Sequence, residues 1–242
     1  MRFTTERRHD DVVERHFVHD EIPGILWTPA AETAPVPLIL MGHPGGLDRM
    51  YPRLAARARG TVAGGFAAAT IEVPGGGDRP RLPGVEQARA DLLRTLSAGG
   101  RVADELVERL VLPLVERAVP EWRTVLDALL TVPGIRGPVG CSGGPIAVGI
   151  RLAVTEPRLA AAGLFAGSYV PRAMFAEARL VTIPLHVLLQ WDDDGNDRQL
   201  ALDLFDAFGS AEKTLQANLG GHTGVPRHAA EDAGRFFARH LR

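Results

Sequence analysis

The chain has 242 residues, of which 45% are hydrophobic and 23% are charged, and its formal net charge is −2. This composition is that of an ordinary globular protein, and the length predicts a single domain over residues 1–242. The near-neutral charge and the scattered arginines argue against a nucleic-acid partner. No apolar run reaches the roughly 18 residues that a membrane span requires, so we expect no membrane partner. The charged N-terminus lacks an apolar signal region, which predicts a cytoplasmic location.

Apolar segments typical of buried strands alternate with helical patterns along the chain. The predicted strands are 17–18, 22–27, 38–41, 66–73, 135–139, 159–165, 183–191 and 214–219. The predicted helices are 49–59, 85–96, 102–130, 145–156, 199–208 and 227–241, and Pro113 and Pro120 are expected to kink or split the third. This alternation predicts an α/β fold, with a mostly parallel, twisted sheet covered by helices on both faces. Residues 79–122 are a helical insertion in that scheme.

A G-x-S-x-G pentapeptide, Gly140-Cys141-Ser142-Gly143-Gly144, lies between a predicted strand and a predicted helix. In that setting the serine is expected on a tight turn, with its hydroxyl projecting from the edge of the sheet. Cys141 would be the nucleophile only if the motif were shifted by one residue, and the glycines at −2 and +2 favour Ser142. Cys141 is also the only cysteine, which excludes an internal disulfide and a cysteine metal cluster.

A serine nucleophile needs a base, and the base needs an acid that orients it. His222 lies in a glycine-rich segment between the last predicted strand and the last predicted helix, which favours it as the base. Three consecutive aspartates, Asp192 to Asp194, follow a predicted strand, and the choice of acid among them stays open. A helix starting near residue 198 favours Asp193, with Asp194 as the second choice. These acidic residues have no histidine nearby in sequence, so we expect no metal site.

Two backbone N–H groups are expected to form an oxyanion hole. One is that of Gly143, the residue after the nucleophile. The other lies in the loop Gly42-His43-Pro44-Gly45-Gly46, after an early strand. Pro44 has no N–H, so Gly45 is the favoured donor, and Gly46 is the alternative.

Together these segments resemble the α/β-hydrolase superfamily over roughly residues 22–242, in which the order of the triad is serine, acid, histidine. In its compact size the chain is similar to members of the dienelactone hydrolase-like and small esterase branch. Dienelactone hydrolases themselves, however, carry a cysteine where Ser142 stands. The resemblance implies cleavage of a small carboxylic ester, lactone or thioester through an acyl-serine intermediate. The implied triad is Ser142, Asp193 and His222, the implied partner is a small acyl substrate, and no cofactor is needed.

Two other functions remain open at this point. One is a perhydrolase or peptidase-like acyl transferase, and the other is a binding protein that has the hydrolase fold without catalysis. Four residues near predicted strand ends are candidate walls of a substrate pocket: Leu47, Met50, Tyr169 and Trp191.

Overall fold

The computed structural model describes residues 1–31 and 34–242, and a single twisted sheet lies at its centre. Within this described part of the chain the sheet contains nine strands: β1 (Arg2–His9), β2 (Val12–His19), β3 (Ile22–Pro29), β4 (Val36–Gly42), β5 (Ala67–Ile71), β6 (Ile135–Gly143), β7 (Leu159–Phe165), β8 (Leu185–Gln190) and β9 (Lys213–Asn218). Their order across the sheet is β1-β2-β3-β5-β4-β6-β7-β8-β9.

Most neighbouring strands in this sheet are parallel. The pairs from β5 through β4, β6, β7 and β8 to β9 run in the same direction, whereas β1, β2 and β3 form an antiparallel meander that joins β5 antiparallel. Parallel neighbours require crossover connections, which helices supply here. The carboxyl ends of the parallel strands therefore share one edge of the sheet, which is where such folds bind ligands.

Helices cover both faces of the sheet, as the sequence predicts. They are α1 (Leu47–Ala63), α2 (Pro83–Ser97), α3 (Asp104–Leu129), α4 (Ile146–Thr155), α5 (Met174–Ala178), α6 (Arg198–Ala207) and α7 (Arg227–Leu241). Alternate residues of β4 enter opposite cores: Leu38 and Leu40 pack in the core that includes α3 to α6, and Ile39 and Met41 in the core that includes α1 and α7. This period of two is that of a strand buried on both faces. The predicted α/β fold is confirmed.

Of the two effects expected of the prolines, a kink or a split, the split is wrong, because α3 continues through Pro113 and Pro120 as one element. Each proline costs roughly 3 kcal/mol inside a helix. The apolar face of α3 outweighs that cost, since nine apolar residues of the helix are buried, among them Val115 and Trp122. Each large side chain contributes about 1.5–3 kcal/mol on burial. The insertion predicted over 79–122 consists of α2 and most of α3, which pack against each other.

Strand β1 and helix α5 are not predicted from the sequence. Strand β1 lies at the edge of the sheet beside β2. All eight of its residues are exposed, so it has no buried face that a sequence pattern could reveal. Helix α5 has only five residues, too few for a helical period to appear. Within the described residues no helix is long and apolar enough to cross a membrane.

Candidate active site

Ser142 lies at the end of β6, in the middle of the sheet. It pairs with Met41 of β4 and with Gly163 of β7. The turn follows one residue later than the sequence predicts, because the positive φ angles fall on Gly143 (73°) and Gly144 (80°) rather than on the serine. Glycine adopts this backbone conformation without the steric cost that a side chain brings. Ser142 therefore keeps strand geometry, and α4 begins four residues after it at Ile146.

Cys141 and Ser142 have different surroundings, as neighbours on a strand do. Cys141 is buried in the core that includes α4, and burial raises the pKa of its thiol to about 12. A thiol with that pKa stays protonated at neutral pH and is a poor nucleophile. Ser142 is only partly buried. The surroundings of these two residues favour Ser142 as the nucleophile.

Asp193 and His222 form a hydrogen-bonded pair. Oδ2 of Asp193 lies 2.7 Å from Nδ1 of His222, and because a carboxylate only accepts, Nδ1–H is the donor. The Asp193 side chain is almost fully buried, whereas the imidazole is about half exposed and packs edge-on against the ring of Phe165. With Nδ1 engaged, Nε2 is left as the nitrogen that can accept a proton.

The three consecutive aspartates have three different environments. Asp193 is bound to the histidine, whereas Asp192 accepts hydrogen bonds from the backbone N–H groups of Gly220 and Gly221 at 2.8–3.1 Å. Asp194 is exposed and forms no hydrogen bond to His222 in the described part of the chain. The hydrogen bond from Gly221 is the main reason why the pKa of Asp192 lies below its usual range. This geometry favours Asp193 as the acid, in agreement with the sequence preference.

The loop that carries His222 depends on glycine and on two side chains from the end of β8. Gly220 and Gly221 have φ angles of 125° and 64°. A Cβ at Gly224 would lie 1.9 Å from the carbonyl oxygen of Gly220, so the loop closes tightly on itself. Gln190 donates to the carbonyl of Gly221 at 2.8 Å, while Asp192 holds the N–H groups. Hydrogen bonds to a carbonyl and to two N–H groups of this loop therefore fix the position of the His222 imidazole.

The two segments expected to form the oxyanion hole are in contact. Gly42 pairs with Gly143 across β4 and β6, and a Cβ at Gly144 would lie only 2.9 Å from the Cα of Gly42. Gly45 lies three residues after the end of β4, and Gly46 is the N-cap of α1. The structure therefore brings the loop of Gly45 and the turn of Gly143 together beside Ser142.

Two buried side chains that the sequence analysis did not assign hold the loop after β4. Nε2 of His43 bonds to the carbonyl of Ile71 at 2.8 Å, and burial lowers the pKa of His43, which keeps it neutral. Glu72 accepts from the N–H of Leu47 at 2.9 Å, where α1 begins. A carboxylate is favourable at a helix N-terminus. Strand β5 thereby positions the loop that contains Gly45.

Arg57 of α1 is a further neighbour of the serine that the sequence reading missed. Its guanidinium donates to the carbonyls of Gly42 (3.2 Å) and Ser142 (3.0 Å) and to Oγ of Ser142 (3.1 Å). Burial, with a smaller effect of the like charge on Arg53, lowers the pKa of Arg57 to about 10. Arg57 is one of several arginines on α1, and nothing in the sequence distinguishes it from the others.

Ser142 and His222 are not joined by a hydrogen bond among the described residues. Catalytic hydrogen bonds are often long in the free enzyme and shorten when substrate binds. The serine and the Asp193–His222 pair nevertheless lie at the same edge of the sheet, at the ends of β6 and β8 and after β9.

The four residues predicted to line a substrate pocket differ in position and in exposure. Leu47 is buried, Met50 lies beside Gly45, and Trp191 is exposed under the guanidinium of Arg198. Tyr169 lines a cavity with Ser168 and Asn196, near the loop of Asp193.

A second small, mainly apolar cavity borders both the loop after β4 and the turn after Ser142. Its lining includes His43, Val73, Leu114, Trp122 and Pro145. The insertion helix α3 therefore lines a cavity beside the loop after β4.

No group of histidine, cysteine and acidic side chains arranged to hold a metal ion occurs among residues 1–31 and 34–242. The chemistry available from the described side chains is that of a hydroxyl, an imidazole, a carboxylate and a guanidinium.

The chain is similar to known proteins in structure. No protein-family profile and no curated protein sequence matches the chain. Among solved structures, it is similar to a cold-adapted esterase from an Arctic intertidal metagenomic library, with 26% identity over 100% of both chains and a TM-score of 0.77. It is also similar to the acetyl xylan esterase from Paenibacillus sp. R4, with 15% identity over 99% of this chain and 88% of that one and a TM-score of 0.68.

A third similar structure is an esterase from Pyrococcus furiosus, with 10% identity over 94% of this chain and 91% of that one and a TM-score of 0.62. At 15% and 10% identity the last two matches show the fold. The first match covers both chains fully at higher identity. With the mostly parallel sheet and the order of its elements, these findings assign the chain to the α/β-hydrolase superfamily. The dienelactone hydrolase-like branch stays a prediction.

Proposed function

We propose that the chain is a serine hydrolase that cleaves small carboxylic esters, lactones or thioesters through an acyl-serine intermediate. The observation that carries this proposal is the 2.7 Å bond between Asp193 and His222, at the edge of the sheet where Ser142 also lies. The similar esterase structures support a carboxylic ester hydrolase. Ser142 is the nucleophile, His222 the base, and Asp193 the acid that orients it.

The first half of the reaction forms the acyl-enzyme. Ser142 Oγ attacks the carbonyl carbon of the ester while Nε2 of His222 takes the hydroxyl proton. Asp193 keeps the proton on Nδ1 and stabilises the imidazolium. The N–H groups of Gly45 and Gly143 hold the oxyanion, and each donor of this kind contributes roughly 3–4 kcal/mol. His222 then gives its proton to the leaving alcohol.

The second half releases the acid. Water attacks the acyl carbon and gives a proton to His222. The bond to Ser142 Oγ then breaks, and His222 returns the proton to that oxygen, which restores the free enzyme. The imidazole is about half exposed, so water has access to it.

The test is hydrolysis of p-nitrophenyl acetate and of longer p-nitrophenyl esters by the wild type and by Ser142→Ala. We expect the wild type to hydrolyse these esters and Ser142→Ala to lose at least about 10³-fold in kcat. A fluorophosphonate should label the wild type on Ser142, as located by peptide mass spectrometry, and should leave Ser142→Ala unlabelled. Full activity of Ser142→Ala, or labelling of another residue in the wild type, would reject the proposed nucleophile.

A further inference from the structure

Arg57 places a positive charge directly beside the proposed nucleophile. Nη2 lies 3.1 Å from Ser142 Oγ and also donates to the carbonyl of Ser142, and Nη1 donates to the carbonyl of Gly42. Because a guanidinium can only donate, the serine oxygen is the acceptor in the shared hydrogen bond. The proton of the serine hydroxyl is thus left free to pass to a base.

Within the described ranges 1–31 and 34–242, no acidic side chain forms an ion pair with Arg57, whose hydrogen bonds go to two carbonyls and the serine hydroxyl. Arg53 adds a like charge. Removing a cation from water without an anionic partner is costly. The pKa of about 10 nevertheless leaves the guanidinium protonated at neutral pH.

The other side of the serine oxygen is apolar. Gly163 lies opposite Ser142 on β7, and a Cβ built there would lie 3.7 Å from Ser142 Oγ and 3.1 Å from the ring of Phe237. The phenyl ring and the serine oxygen thus flank the same glycine. A charge in surroundings with little water acts more strongly on its neighbours than one in solvent.

We propose that Arg57 is a further catalytic residue, whose guanidinium stabilises negative charge on Ser142 Oγ as the bond to the acyl carbon forms and breaks. This inference rests on the proposed serine-hydrolase function. In deacylation, water adds to the acyl carbon and gives a proton to His222. The bond between carbon and Oγ then breaks, its electron pair moves to Oγ, and His222 delivers the proton to that oxygen. A fixed cation at Oγ lowers the barrier to this departure.

The experiment compares Arg57→Met, which removes the charge at similar length, with Arg57→Lys, which keeps it, and with Arg59→Met, an exposed control on the same helix. We expect Arg57→Met to lower kcat for p-nitrophenyl acetate about 100-fold, the effect of losing one donor aimed at developing charge. The acetyl-enzyme should accumulate and be detected by mass spectrometry of the quenched reaction. The kcat of Arg57→Lys should be about tenfold higher than that of Arg57→Met, and Arg59→Met should match the wild type.

Several outcomes would overturn the role of Arg57. One is a wild-type kcat for Arg57→Met without acetyl-enzyme. Another is an equal loss in Arg57→Met and Arg57→Lys with lowered melting temperatures, because that pattern belongs to a residue that only caps two carbonyls. If circular dichroism shows that Arg57→Met is unfolded, Arg57→Gln replaces it as the variant without the charge. A reduced kcat with accumulated acetyl-enzyme in Arg57→Gln supports the role, and a wild-type kcat rejects it.

The failure of this inference is distinguishable from the failure of the proposed function. Fully active Arg57 variants beside an inactive Ser142→Ala would reject only the role of Arg57. An active Ser142→Ala would instead reject the serine mechanism, and with it the role of any group that acts on Ser142 Oγ.

Discussion

Nδ1 of His222 lies 2.7 Å from Oδ2 of Asp193, a contact that joins the loop after β9 to the end of β8 across 29 positions of the chain. The carboxylate is almost fully buried and the imidazole about half exposed. A buried acid behind an accessible imidazole is the arrangement that holds a general base in one tautomer and orientation.

The first prediction concerns this contact. Asp193→Asn should lower kcat for p-nitrophenyl acetate by roughly 10³- to 10⁴-fold, because an amide can donate to Nδ1 and thereby favour the wrong tautomer. Asp194→Asn is the matched control, since that side chain is exposed, and it should stay close to the wild type. If Asp194→Asn were the inactive variant and Asp193→Asn the active one, the assignment of the acid would be reversed.

The second prediction concerns the loop that carries the imidazole. Asp192→Ala removes the acceptor of the N–H groups of Gly220 and Gly221 and should lower kcat about tenfold, since small displacements of a catalytic group cost rate. Asp192→Asn should lose less, because its amide oxygen still accepts a hydrogen bond. Steady-state kinetics should locate the loss in kcat rather than in KM. Equal activities of the alanine variant and the wild type would show that the loop holds its position without Asp192.

The third prediction concerns the turn after the serine. Gly143→Ala should lower the free energy of unfolding by about 1–3 kcal/mol, because φ is 73° at this position and a side chain there is strained. The new Cβ would also lie 3.1 Å from Nη2 of Arg57. Gly134→Ala is the control, with a φ of 85° and no atom within 4 Å of its Cβ position. Urea unfolding of both variants separates the cost of backbone strain, which both share, from that of the contact with Arg57, which only Gly143→Ala makes. A smaller loss of unfolding free energy for Gly143→Ala than for Gly134→Ala would contradict the expectation.

The fourth prediction concerns acid stability. Arg158 forms two 2.7 Å hydrogen bonds with the buried carboxylate of Glu156, and these bonds are the main reason why the pKa of Glu156 is lowered from its ordinary 4.5. A carboxyl group with a lowered pKa in the folded state stabilises the fold above its ordinary pKa and loses that contribution as pH falls through the folded value. The free energy of unfolding should therefore decline below about pH 4.5.

Glu156→Gln tests this dependence. The variant should be less stable than the wild type at pH 7 and should show a shallower decline in stability on acidification, as measured by urea unfolding at several pH values. Glu116→Gln, at an exposed position of α3, is the control and should keep the slope of the wild type. Parallel wild-type and Glu156→Gln curves below pH 4.5 would assign the acid sensitivity to other groups.

Much of the fold could be predicted from local patterns. The predicted bounds of β7 and α7 agree with the structure, because an uninterrupted apolar run and a helical period are visible within each segment alone. The continuity of α3 through Pro113 and Pro120 could not be predicted, because its energy comes from packing against residues far away in the chain. Strand β1 has no apolar face, so only its pairing with β2 defines it.

The sequence alone determined the types of residue at the site and their order: a serine flanked by glycines, three aspartates after a strand, and a histidine in a glycine loop. Those signals are local, because turns and strand ends depend on neighbouring residues. Only the tertiary structure decided which aspartate meets His222, since adjacent residues at a strand end point in different directions. It also brought Arg57 to Ser142 across 85 positions of sequence, a contact that depends on how α1 packs on the sheet and that no local pattern records.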